Sequence, residues 1–236
     1  MSPSVVPNQQ IRPDERKPFW SNWRIWAAAV ALILALGISI LFGSKQVVQQ
    51  GYYGERLFPP KEAFDFTLTD QDSQPVQLHQ LHGKVVLFLF GFTHCPNVCP
   101  TSLTNLAAVY QKLNPEQRKG VQILFLSVDS RRDTPAALKS YVPWFDPSII
   151  GLTGSKEAID RTVQEYGGSY EIVPGSSKDS NDYGVNHSAY IYLINPAGQL
   201  ELLYDNEKLA DSDRMVGDIR KVLAERKTPD RPETRY

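Results

Sequence analysis

The two cysteines of this chain lie close together, as Cys95 and Cys99, directly after the apolar run 85–90. A buried strand that ends in a short loop and opens into a helix would place both sulfurs near the helix N-terminus, where the helix dipole favours thiolate over thiol. On a helix, the spacing i, i+4 also brings two side chains to one face. The pair therefore predicts either the binding of one soft metal ion or a disulfide used in redox exchange.

His187 is the histidine that we expect to join the two cysteines. It follows a Gly/Ser/Asp-rich insertion, residues 167–181, and directly precedes the predicted strand 189–194. Long polar loops that end at a strand commonly place functional side chains. Two thiolates and one imidazole suit copper, because sulfur favours Cu(I) and nitrogen tolerates Cu(II). Structural zinc is less expected, because it usually takes four protein ligands. Three protein ligands are compatible with catalytic zinc, so that alternative stays open.

The other histidines receive different roles. His79 and His82 lie in a polar loop before the buried strand, where solvated surface positions are predicted. His94 adjoins Cys95, but consecutive side chains in a strand or loop tend to diverge, so we expect it to form hydrogen bonds instead of binding metal. The charged segment 129–133 is interpreted as a solvated loop.

A strong membrane signal lies in residues 25–44, which carry no charged side chain. As a helix this segment would span about 30 Å, the thickness of a bilayer core. Basic residues are more frequent before the segment than behind it, so the positive-inside rule predicts a cytoplasmic N-terminus. The length of the apolar run favours an uncleaved anchor over a signal peptide. The predicted location is the inner (cytoplasmic) membrane, single-pass, with the globular domain in the oxidising periplasm.

The anchor divides the chain into five predicted segments: a cytoplasmic leader (1–24), a transmembrane anchor (25–44), a tether (45–60), a globular domain (61–226) and a flexible tail (227–236). The domain reads as strands and helices in the order β-α-β-α-β-α-β-β-α, after an N-terminal hairpin over 64–69 and 76–78. This order predicts an α/β domain with a mixed central sheet and flanking helices, for which a thioredoxin-like fold is the best fit. A net charge of −1 gives no nucleic-acid signature.

Several segments of the domain together resemble the Sco/SenC family. The matching segments follow one another in the family's order and lie at residues 91–101, 127–135, 151–154, 183–188 and 192–198. The resemblance covers about residues 60–226 and implies a membrane-anchored copper-binding protein. It also implies a role in delivering copper to, or reducing the cysteines of, the binuclear copper centre of cytochrome c oxidase subunit II. Carried over residue by residue, the copper ligands would be Cys95, Cys99 and His187.

Two positions depart from the family's pattern. Asn97 stands between the cysteines where the family commonly has Asp, and Asn186 stands where an Asp commonly precedes the histidine. Each change replaces a carboxylate by a neutral amide, which weakens stabilisation of Cu(II) relative to Cu(I). The sequence therefore predicts a site that favours Cu(I).

The residues leave more than one activity open. The first is a metallochaperone, a binding protein that passes copper to subunit II or another copper-accepting protein and needs a thiol reductant. The second is a thiol-disulfide reductase of the exported compartment without obligatory copper, in which Cys95 and Cys99 act as redox thiols and His187 is not required. A thiol peroxidase shares the fold, but the CxxxC spacing offers no specific argument for it.

Overall fold

The computed structural model describes residues 26–28, 30–33, 51–175 and 182–225. The chain divides into two compact units, residues 1–50 and 51–236. In the first unit, the described residues 26–28 and 30–33 are helical and exposed. Within the described part of the chain, no helix is long and apolar enough to cross a membrane. Most of the predicted anchor, with the predicted leader and tail, lies outside the described residues.

Ten strands are described in the second unit. They are β1 (Glu55–Glu62), β2 (Thr67–Asp70), β3 (Pro75–Gln77), β4 (Val85–Gly91), β5 (Val121–Ser127), β6 (Ile150–Thr153), β7 (Tyr170–Pro174), β8 (Tyr183–His187), β9 (Ile191–Ile194) and β10 (Gln199–Tyr204). Eight of them form one sheet in the order β1-β10-β9-β4-β5-β6-β2-β3. The pairs β4–β5 and β5–β6 are parallel and the other pairs are antiparallel, so the sheet is mixed. Strands β7 and β8 form a separate two-stranded sheet.

Six α-helices accompany the strands: α1 (Val98–Gln111), α2 (Pro115–Lys119), α3 (Pro135–Tyr141), α4 (Lys156–Glu165), α5 (Asn206–Leu209) and α6 (Ser212–Glu225). Short 3-10 turns cover Leu78–Leu81 and Val142–Trp144. All seven residues of β4 are buried, which requires cover on both faces of the sheet centre. The apolar runs of β4 and β5 therefore form the core that places the end of β4.

Most predicted elements agree with the structure. The predicted hairpin corresponds to β2 and β3, and the side chains of Thr134 and Ser155 cap α3 and α4. Helix α1 starts at Val98, directly after Asn97. Cys99 consequently lies inside α1.

The predicted tether over 45–60 is wrong at its C-terminal end. Residues Glu55–Glu62 form β1, which pairs with β10 at the edge of the sheet, so the described domain begins at residue 51. Pro59 and Pro60 indicated an irregular segment because proline cannot donate a ladder hydrogen bond. An edge strand tolerates them, and the register of β1 shifts between Arg56 and Lys61.

The predicted polar insertion 167–181 also contains regular structure. Strand β7 lies within it and pairs with β8, so His187 is the last residue of a hairpin strand. Residues Glu171–Pro174 are exposed, and their pattern therefore lacks the alternation that marks a half-buried strand.

Candidate metal centre

The two cysteines lie where the central strand β4 passes into α1. Cys95 lies in the turn between these elements, and Cys99 is the second residue of the helix. The backbone N–H of Cys99 donates to Sγ of Cys95 at 3.4 Å. Both residues are buried free thiols. The strand, turn and helix start thus direct both sulfurs to one small region.

His187 reaches this region from the end of β8. Its Nε2 lies 3.3 Å from Sγ of Cys99, and its Nδ1 lies 2.9 Å from the carbonyl oxygen of Ser188. In the tautomer protonated at Nδ1, that nitrogen donates to the carbonyl and the Nε2 lone pair faces the sulfur. The ring of Phe92 contacts the imidazole edge-on, with centroids 5.8 Å apart.

Cys95, Cys99 and His187 therefore form one constellation, in which the three ligand atoms all lie within 4.8 Å of one another. The sequence singled out these residues, and the structure brings all three together. Two sulfurs and one nitrogen form a soft donor set of low coordination number, which suits copper better than hard cations. The same closeness of the sulfurs is compatible with a disulfide.

The other histidines lie elsewhere. His94 is exposed, and its Nδ1 lies 3.0 Å from Oγ1 of Thr93, in agreement with the predicted hydrogen-bonding role. His79 is exposed and pairs with Asp65 at 2.8 Å. His82 is exposed as well.

Gly91, the last residue of β4, allows the close approach of Cys99. A Cβ placed on Gly91 would lie 2.7 Å from Sγ of Cys99 and 2.5 Å from Cε2 of Phe125. Neither distance is sterically allowed, so only glycine fits between the sulfur and the aromatic ring. A glycine at the end of an apolar run, shortly before two cysteines, is the sequence signal for this contact.

The protonation of Cys99 differs from the sequence prediction. Burial raises the pKa of the Cys99 thiol well above its ordinary value; the N–H of Phe92 opposes this effect, and Cys95 and Asp133 add to it. The helix N-terminus favours thiolate, but the cost of desolvating the charge is larger. A metal ion must therefore displace a proton to bind Cys99.

The segment 129–133 is not the solvated loop that its charges suggested. Asp133 is fully buried and accepts hydrogen bonds from the backbone N–H of Thr93 at 2.7 Å and from its hydroxyl at 2.6 Å. The hydroxyl of Ser127 donates to the same carboxylate at 2.5 Å. Asp133 therefore holds the turn that carries Cys95.

Asp129, at the start of the same segment, is also buried. It accepts a hydrogen bond from the hydroxyl of Tyr183 at 2.6 Å and pairs with Nε of Arg132 at 2.5 Å. Arg132 donates from Nη1 to the carbonyl oxygen of Tyr183 at 3.0 Å, and its guanidinium lies 3.6 Å from the centre of the Tyr183 ring. These contacts attach the strand of His187 to the loop that follows β5.

Comparisons with known proteins agree with this architecture. The sequence model of the SCO1/SenC family matches residues 55–224. Protein SCO2 of Saccharomyces cerevisiae mitochondria is 34% identical over 200 residues, which cover 79% of this chain and 64% of that protein. The chain spans less than two thirds of the length of three curated relatives that it matches.

Solved structures of similar proteins share the fold. Apo Sco1 of Thermus thermophilus is 41% identical with a TM-score of 0.66, and the match covers 73% of this chain and 97% of that one. Arabidopsis thaliana ScoI with copper bound is 33% identical with a TM-score of 0.59, over 68% and 99%. BsSco, described as having a disulfide switch and as a Sco-family cytochrome c oxidase assembly protein, is 27% identical with a TM-score of 0.56, over 75% and 99%. These matches establish the thioredoxin-like α/β fold with a mixed central sheet.

Proposed function

Because the chain belongs to the SCO1/SenC family, we propose that it is a copper-binding protein whose ligands are Cys95, Cys99 and His187. The observation that carries this proposal is the convergence of two buried sulfurs and one imidazole nitrogen within 4.8 Å. Sulfur donors favour Cu(I), and the nitrogen allows Cu(II) to be held as well.

The recipient of the copper in this proposal is cytochrome c oxidase subunit II or another copper-accepting protein. Thiolates of the recipient replace Cys95, Cys99 and His187 by ligand exchange, or the chain keeps the recipient's thiols reduced. The similarity to BsSco, which is described as an oxidase assembly protein, supports this choice. Both cysteines must be reduced to bind copper, so an oxidising compartment must provide a thiol reductant.

The proposal places the protein in the inner membrane through residues 25–44, with the N-terminus in the cytoplasm and the copper-binding domain in the periplasm. The apolar segment and the excess of basic residues before it support this orientation. The anchor then contacts the lipid bilayer, and the copper-binding domain contacts the copper recipient in the periplasm.

A thiol-disulfide reductase is the second candidate function. The proximity of the two sulfurs, together with the disulfide switch described for BsSco, favours it. One cysteine would attack a substrate disulfide, and the other would then release the substrate as a dithiol by closing the Cys95–Cys99 disulfide. Such a reaction does not require His187.

Anaerobic titration with Cu(I) tests the proposed function. The reduced domain from residue 51 is compared with Cys95→Ser, Cys99→Ser and His187→Ala, and with His82→Ala as a control histidine away from the site. We expect the domain to bind one copper, with two sulfur neighbours and one nitrogen neighbour by X-ray absorption. The first three changes should weaken copper binding, and the fourth should leave it unaffected. If copper bound weakly and His187→Ala did not change its binding, while the domain still reduced disulfides, the reductase would be established instead.

A further inference from the structure

The cysteines and His187 belong to separate parts of the fold. Cys95 and Cys99 follow β4 at the centre of the large sheet, whereas His187 ends β8. Among the described strands, β7 and β8 pair only with each other and form a sheet of their own. The distance from sulfur to imidazole is therefore not set by a backbone ladder, and other contacts must fix it.

One short loop contacts both parts. It runs from Ser127 at the end of β5 to Thr134, which caps α3. At one end, Asp133 accepts two hydrogen bonds from Thr93, which lies two residues before Cys95. Loss of a donor would leave this buried carboxylate less well satisfied, so these bonds hold the turn firmly.

In the same loop, Asp129 and Arg132, the residue next to Asp133, hold Tyr183. Side chains at positions i, i+2 and i+4 of a strand share one face, so Tyr183 and His187 lie on the same side of β8. The hydroxyl, the ring and the carbonyl oxygen of Tyr183 each contact the loop. Three contacts of different geometry restrict both the position and the rotation of the strand that carries His187.

We propose that Asp129, Arg132 and Asp133 are positioning residues that together set the distance between His187 and Cys99. We call this loop the bracket, because Asp133 contacts the turn that carries Cys95, and Asp129 and Arg132 contact the strand that carries His187. Arg132 also lies over the ring of Phe92, at 5.8 Å, and Phe92 contacts the imidazole itself. This inference rests on the proposed copper site and adds the residues that preorganise it.

Two conservative variants test the bracket, one at its contact with the histidine strand and one at its contact with the cysteine turn. Tyr183→Phe removes the hydrogen bond to Asp129 but keeps the ring, and Thr93→Val removes the hydroxyl bond to Asp133 but keeps the backbone bond. Changes to the partners that orient metal ligands typically weaken metal binding 10- to 100-fold. We expect each variant to lower Cu(I) affinity by about 10-fold or more, measured anaerobically against a chromophoric Cu(I) chelator.

Two further variants control for a general loss of stability. Tyr204→Phe removes a hydroxyl that donates to the buried Asp218 at 3.0 Å, and Thr162→Val removes a buried hydroxyl that donates to the carbonyl of Ala158 at 2.8 Å. Both lie outside the metal centre. We expect a similar fall in thermal midpoint for all four variants, but unchanged copper affinity for these two. Equal affinity in all four variants would overturn the positioning role.

A measurement without copper separates this inference from the proposed function. In the reduced apo domain, the ¹⁵N resonances of the His187 imidazole report its contact with Sγ of Cys99. We expect them to shift in Tyr183→Phe and in Thr93→Val, and to stay in place in the two controls. Absence of copper binding by the unmodified domain would refute the proposed function, whereas unmoved imidazole resonances in both bracket variants would refute the bracket.

Discussion

At the scale of single residues, the metal centre depends on the absence of a side chain at Gly91. Gly91 leaves the space into which Sγ of Cys99 and the ring of Phe125 both fit. The sequence singled out the three proposed ligands from residue type and spacing, and the structure brings these residues together. It did not reveal the role of Gly91 or the raised pKa of Cys99, because both depend on what packs around β4.

Gly91→Ala should therefore damage both fold and site. The new methyl group would overlap Cys99 and Phe125, and such overpacking typically costs about 1–3 kcal/mol. We expect a loss of this size in urea unfolding and a lower Cu(I) affinity. Gly184→Ala in β8 is the matched control, because its nearest atom would be 3.9 Å away. Similar losses in both variants would show that the space at Gly91 is not special.

The two asparagines near the ligands lead to a second prediction. Asn97 and Asn186 are exposed, so replacing both by Asp adds negative charge without burying it. Carboxylates stabilise Cu(II) relative to Cu(I), and we expect the reduction potential of bound copper to fall in voltammetry, with solvent limiting the size of the change. Asn114→Asp keeps a residue that can cap α2 and should leave the potential unchanged. An unchanged or raised potential in the double variant would contradict the prediction.

At the scale of elements, the loop after β5 shows why charge is an incomplete guide. Aspartate and arginine side chains in sequence indicate a solvated turn, yet Asp129 and Asp133 are buried because Tyr183, Arg132 and Thr93 satisfy them. Two of these partners, Tyr183 and Thr93, come from distant parts of the chain. Regular elements with a strong apolar pattern, such as β4 and β5, were predictable, whereas a polar network that forms only on folding was not.

The Asp129 network predicts a pH dependence of stability. Burial of Asp129 opposes its ionisation, but hydrogen bonds from Tyr183 and Arg132 outweigh burial and hold the pKa below its ordinary value. A lowered pKa contributes stability above the unfolded value of about 3.9, and this contribution is lost as the pH falls through the folded value. Tyr183→Phe should therefore cost about 1–2 kcal/mol at pH 7 and less in acid.

Urea unfolding at pH 7 and at about pH 3 would measure this difference. Tyr110→Phe is the control, because the Tyr110 hydroxyl donates to a backbone carbonyl, of Arg118, at 3.5 Å. A carbonyl does not titrate, so the effect of that change should be the same at both pH values. An equal loss at both pH values for Tyr183→Phe would exclude the Asp129 contribution.

At the scale of the whole molecule, the start of the domain is the feature that the sequence placed wrongly. The backbone N–H groups of Tyr53 and Gly54 donate to the buried carboxylate of Asp218 in α6, and β1 then covers the edge of β10. The paired prolines interrupt the sequence pattern of this strand. Its register is set by its partner β10 and not by its own residues, so its sequence alone did not predict it. The family match from residue 55 agrees with the corrected boundary.

Truncation tests this boundary. A domain that starts at residue 61 lacks most of β1 and the two backbone donors to Asp218, whose buried carboxylate then keeps only the hydroxyl of Tyr204 and Nζ of Lys221 as partners. Loss of donors to a buried charged group costs about 1–3 kcal/mol. We expect a lower thermal midpoint and aggregation through the exposed edge of β10. Removing the same number of residues from the other end, to give 51–226, should have a smaller effect. Equal stability of 61–236 and 51–236 would restore the original boundary.

The three proposed ligands are held in place with unequal firmness. This difference sets the order in which an incoming thiolate would displace them from copper. Cys99 lies on α1 with its sulfur against Gly91 of the fully buried β4, so moving this sulfur requires the core to open. The imidazole ends a two-stranded hairpin with an exposed outer strand, and such an element opens at a much lower free energy than the core. An incoming thiolate would therefore displace nitrogen first and the sulfur of Cys99 afterwards. The rate of copper release would then follow the opening of this hairpin away from the loop that holds Tyr183.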